Sequence, residues 1–115
     1  MTIVPPIPFQ TAQTLPDRVA FDRQELGLIL GLYGRMVAAG EWRDYAMAFL
    51  SDRAVFSVFR RAAEVPLYRI EKTPRLRARQ GQYALLGADG QVLKRGPDLG
   101  AVLRPLERKL IRPVD

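Results

Sequence analysis

The chain has 115 residues, 48% of them hydrophobic, enough for one domain with a real core. Eighteen Lys and Arg, fifteen of them Arg, outweigh twelve Asp and Glu and leave a formal charge of +6, a balance suited to an acidic partner. With no Cys and no His, disulfides, zinc sites built on those ligands, and Ser-His or Cys-His nucleophile pairs are excluded.

The opening MTIVPPIPFQ has neither the basic start nor the unbroken apolar run of a signal peptide. No long window is apolar and uncharged, so no membrane span is expected and the cytoplasm is the default location. Residues 1–20 carry Pro5, Pro6, Pro8 and Pro16 without periodicity. They read as a proline-rich extended arm with room for disorder, and residues 21–112 as a single domain.

The first helix is predicted over 22–39. Asp22 is a good N-cap, Glu25 stands at the capping-box spacing, Phe21 and Leu26 form a hydrophobic staple, and Gly40 supplies the stop. At 100° per residue Leu26, Leu30, Tyr33 and Val37 share one stripe, the expected core face. Gly27, Gly31, Gly34 and Ala38 form a strip of small residues. Each of these glycines costs about 1 kcal/mol against Ala in a helix, which points to close backbone packing. The strip reads either as an approach to the domain's own sheet or second helix, or as a face for self-association.

Beyond Gly40 the period changes. YAMAFL (45–50) reads as a strand, although Trp42, Tyr45 and Phe49 also fit helical spacing. AVFSVFRR (54–61) reads as a central strand, apolar on both faces. PLYRIEK (66–72) alternates, QYALL (82–86) follows a loop, and Asp89-Gly90 predicts a hairpin into QVLKR (91–95). Asp98 then caps a second helix with an apolar stripe of Leu99, Val102, Leu103, Leu106 and Leu110, interrupted by Pro105. The expected fold is α+β: an N-terminal helix, a four- or five-stranded antiparallel meander, and a C-terminal helix packed on the sheet.

The run from FDRQEL through LYGRMVAAGEWRDYAMAFLSDRAVFSVFRRAAEVPLYRIEKTPRL to GQYALLGADGQVLKRGPDLGAVLRPLERKL resembles an uncharacterised family of short alphaproteobacterial proteins, domain of unknown function 2794. The resemblance spans about residues 21–110. It implies a bacterial, soluble, single-domain protein and carries no activity, cofactor or site residue with it.

Walking the meander gathers charge. Arg53, Lys72, Arg75, Arg77, Arg79, Lys94 and Arg95 all fall at one end of the strands, against Asp52, Glu71 and Asp98. Such a rim suits phosphate contact by Arg and Lys. Meanders followed by a helix do serve as sheet-type DNA readers, an analogy of architecture alone. Tyr68 and Tyr83 sit mid-strand and read as core rather than as platforms for bases. GADGQVLKRG lacks the Gly-Lys-Ser/Thr ending of a phosphate loop and opens a hairpin. Asp44 and Asp52 stand a strand length apart, too far to share an ion. No enzyme activity, cofactor or metal is expected. The sequence points to a basic, non-enzymatic nucleic-acid-binding protein, with a homodimeric or adaptor module on the first helix as the alternative and an acidic protein as that module's partner.

Overall fold

The computed structural model describes residues 17–61 and 65–110; the proline-rich arm up to residue 16, residues 62–64 and the end of the expected domain beyond residue 110 lie outside them. Helix α1 (Arg23–Ala38) begins at Asp22, whose carboxylate accepts from the Glu25 amide while the Glu25 carboxylate accepts from the Asp22 amide. This is the predicted capping box, both halves formed. Gly40 follows with φ 78°, the left-handed conformation that ends a helix cheaply only in glycine.

The strands are β1 (Asp44–Phe49), β2 (Ala54–Phe59), β3 (Tyr68–Lys72), β4 (Tyr83–Gly87) and β5 (Val92–Gly96). They form one antiparallel sheet in the order β1-β2-β3-β4-β5. YAMAFL is therefore a strand. It pairs with β2 from Asp44–Phe59 to Phe49–Ala54 and forms one edge of the sheet. The Asp89-Gly90 hairpin is present, with Gly90 at φ 85°. One residue, Leu93, bulges out where the β4–β5 register shifts between Leu85 and Leu86. Helix α2 (Leu99–Leu110) starts where Asp98 accepts from the Ala101 amide, and it runs through Pro105.

Both helices pack on the same side of the sheet. Phe56, Val58, Ile70, Tyr83 and Leu85 meet Ile29, Leu32 and Met36 of α1 and Leu99, Val102, Leu103 and Leu106 of α2 in a single core. Trp42 fills the corner after α1, and Tyr45 stacks on Phe56. Successive strand residues alternate between faces. Residues 54, 56 and 58 of β2, 68, 70 and 72 of β3, and 83 and 85 of β4 therefore belong to the helix side. Residues 55, 57, 69, 71, 82, 84 and 95 belong to the other, on which no described helix packs.

The rotation of α1 differs from the expected one. Its buried residues are Glu25, Ile29, Leu32 and Met36. Leu26 and Tyr33 sit at the flank of the core, while Leu30 and Val37 are exposed at 39% and 41%. An apolar moment cannot orient a helix that is apolar on nearly every side. Here the orientation follows from the polar contacts of Glu25. The glycine strip consequently lies half a turn from the core. A Cβ at Gly27 or Gly34 would meet nothing within 4 Å, and at Gly31 only an Arg35 guanidinium nitrogen. Packing of the strip on the domain's own sheet or second helix is thus overturned.

Gly81 is the opposite case. It has φ 95°, and a Cβ there would fall 2.3 Å from the Gly96 carbonyl carbon and 2.6 Å from the Pro97 nitrogen. The β3–β4 loop closes against the end of β5 only because that atom is missing. Gly81→Ala is expected to cost about 2–4 kcal/mol from backbone strain and overpacking. Gly34→Ala, exposed and helical, should gain about 0.5–1 kcal/mol. Urea melts of the two variants should move in opposite directions.

Candidate nucleic-acid interface

Strand parity decides what each rim cation faces. Lys72 shares the helix side with Tyr68 and Ile70. Its ammonium donates to Glu25 Oε1 at 2.8 Å and to the Ala20 carbonyl at 3.0 Å. The Tyr83 hydroxyl donates to Glu25 Oε2. The Glu25 carboxylate thus holds three donors (Lys72, Tyr83 and the Asp22 amide) in a site where Glu25 itself is 7% exposed. Lys72 is engaged in this internal pair and leaves the rim. Burial and the Glu25 carboxylate push the Tyr83 hydroxyl well above the ordinary tyrosine range.

The remaining cations divide. Lys94 is the register partner of the core residue Leu85 and so lies on the helix side of edge strand β5. Arg53 stands 3.5 Å from Asp52 and 3.8 Å from Glu71, which offsets part of its charge. Arg75, Arg77 and Arg79 are exposed on the β3–β4 loop, which starts with a 3₁₀ turn at Pro74–Leu76. That loop holds its shape through its own backbone: the amides of Arg79, Gln80 and Gly81 all donate to the Leu76 carbonyl. Arg95 lies on the helix-free face, opposite Ala84. Among the described residues Arg75, Arg77, Arg79 and Arg95 have no carboxylate partner, nor has Lys94 on the helix side, while Arg53 shares its charge with Asp52 and Glu71.

Arg69 was not among the expected site residues, yet it is central on the helix-free face. Its signal was present in the alternation Tyr68-Arg69-Ile70-Glu71, where burying Ile70 forces Arg69 outward from the core. Tyr68 and Tyr83 are on the helix side, as core residues. No described helix is long and apolar enough to cross a membrane, and no group of three potential metal-ligating side chains occurs among the described residues.

Removing the Glu25 carboxylate would strand the Lys72 charge in a mostly buried position. Glu25→Ala should cost about 3–5 kcal/mol in urea unfolding. The raised Tyr83 pKa makes a signed prediction as well. The folded protein keeps the hydroxyl proton at a pH where the unfolded chain, near pKa 10, releases it. The stability advantage of wild type over Tyr83→Phe is full below pH 10 and shrinks as pH rises beyond it. Tyr33, also raised by burial, is common to both proteins and cancels in that comparison.

No curated protein and no solved structure matches this chain. The model of one family, described as a protein of unknown function (DUF2794), matches residues 19–103, which take in both capping motifs, the buried Glu25–Lys72 pair, the whole sheet and the arginine loop. The chain therefore belongs to this family of unknown function, DUF2794.

Proposed function

We propose that this is a cytoplasmic, non-enzymatic protein that binds nucleic acid by contacting phosphates. The observation that carries the reading is the β3–β4 loop. Arg75, Arg77 and Arg79 are exposed within five residues and have no carboxylate partner among the described residues, on a loop braced by hydrogen bonds to Leu76 and by the close seat of Gly81. Preformed, unpaired guanidinium groups meet phosphates without first giving up an internal partner. The net charge of +6 adds long-range attraction. Three such contacts give a slope of log affinity on log salt of about −3 for duplex DNA. Anisotropy titrations between 50 and 200 mM salt measure it. The triple change of Arg75, Arg77 and Arg79 to Ala should abolish most binding while leaving the melting temperature in place. Absence of binding by the wild type at 50 mM salt rejects the reading.

A second reading rests on a separate observation. The Gly27-Gly31-Gly34-Ala38 strip is exposed and faces away from the core, with Leu28, Leu30 and Val37 exposed around it. This supports α1 as an association face, for a second copy or for a partner protein. Light scattering at rising concentration tests the homodimer. Gly31→Leu has room in the monomer and should leave folding intact while dissociating a dimer built on this strip.

A further inference from the structure

Among the described residues, the buried side-chain nitrogen and oxygen atoms without a hydrogen-bond partner are Arg53 Nε, Arg69 Nε, Gln82 Oε1 and Arg95 Nη1. Leaving such groups unsatisfied is costly, and native structures hold few of them. All four belong to one surface. Arg69 alternates with the core residues Tyr68 and Ile70, Gln82 precedes the core residue Tyr83, and Arg95 is opposite Ala84. Arg53 precedes Ala54 of the core and approaches Glu71. They are contributed by β3, by β5, and by residues just ahead of β2 and β4, all on the helix-free face.

We infer that this face is the second half of the nucleic-acid interface and that it takes the phosphate backbone of a duplex, read without base specificity. The inference rests on the proposal for the arginine loop and extends it. Charge complementarity selects the occupant. Arg53, which pairs with Asp52 and Glu71, is joined by Arg69 and Arg95, and the face's remaining acid, Asp44, lies at the far corner of β1. Arg75, Arg77 and Arg79 continue the positive surface at the loop end. From β2 to β5 the cations are spread over about 14 Å at about 4.8 Å per strand. One small anion does not bridge that span, whereas about five consecutive phosphates at about 3.4 Å per nucleotide do.

The absence of a stacking platform selects the form of nucleic acid. Single-strand readers place aromatic rings on the open sheet face. Here Tyr45, Phe49, Phe56, Tyr68 and Tyr83 are all on the helix side by register, and Phe59 alone of the strand aromatics lies on the other. The rest of the face is Ala46, Ala48, Ser57 and Ala84 with the aliphatic Val55, Leu86 and Val92, none of which stacks a base. With phosphates as the only target, the denser charge of a duplex wins over a single strand.

The test uses the full-length protein with a 20-base-pair DNA duplex, an RNA duplex and a matching single strand, by anisotropy at several salt concentrations. With loop and face together the duplex slope should be about −5. Arg69→Ala and Arg95→Ala should each reduce it by about 1. Ala46→Glu and Ala48→Glu change exposed positions on this face, avoid the core, and should each weaken duplex binding at least about threefold. Scrambled duplex sequences should bind equally, and the single strand more weakly. A wild-type slope near −3, with all four face variants binding as wild type and the arginine-loop variant inactive, overturns this inference and leaves the loop proposal standing. Tighter binding to the single strand overturns the duplex assignment. No binding of any probe at 50 mM salt overturns both proposals.

Discussion

The buried carboxylate of Glu25 is the interaction on which the rest of the structure turns. It closes the capping box on α1, receives the Lys72 ammonium from β3 and the Tyr83 hydroxyl from β4, and thereby fixes the start of the helix over two strands. Lys72 also takes up the Ala20 carbonyl, which ties in the segment ahead of the helix. Burying this pair costs desolvation, and a pair of this kind contributes orientation more surely than stability. The orientation is what the fold needs. Ile29, Leu32 and Met36 lie four, seven and eleven residues beyond Glu25, so the same face that holds the carboxylate carries the packing residues.

Two surfaces follow from that arrangement. With Glu25 inward, Gly27, Gly31 and Gly34 must point away from the sheet, and a helix with little charge presents its small residues and several Leu and Val to the outside. With Lys72 on the helix side, strand alternation places Arg69 and Glu71 on the opposite side, next to Arg53 and Arg95. The protein is consequently two-sided. One sheet face is covered by two helices and closed by a single core. On the other no described helix packs, although Val55, Ala84 and Leu86 are buried there, and it collects arginines that each keep one buried nitrogen without a hydrogen-bond partner.

The loop between β3 and β4 joins these features. Gly81 allows its end to lie against Gly96 and Pro97 with no side chain between, and Leu76 receives three of its amides. A short connection with this many internal bonds displays its arginines from a fixed frame, so less conformational entropy is lost when they engage a ligand. The frame and the helix-free face adjoin through Thr73 and Gln82, whose backbones are hydrogen-bonded to one another.

Much of this was legible from the chain alone. The caps at Asp22 and Asp98, the turn at Asp89-Gly90, the meander order and the gathering of cations toward one end depend on interactions between residues close in sequence or on simple counting along strands. The stripe Leu26, Leu30, Tyr33 and Val37 was misleading, because hydrophobic periodicity loses its phase on a helix with apolar residues all round. The fate of Lys72 and the importance of Arg69 were also hidden, since each depends on which strand face the helices cover. Local propensity and alternation therefore determine the elements, their order and the excess of positive charge. The rotation of α1, the withdrawal of Lys72 and the assignment of Arg69 and Arg95 to the helix-free face were decided by tertiary structure. The physical reason is desolvation: a carboxylate from residue 25 finds its ammonium 47 positions away, and only the assembled fold brings them together out of water.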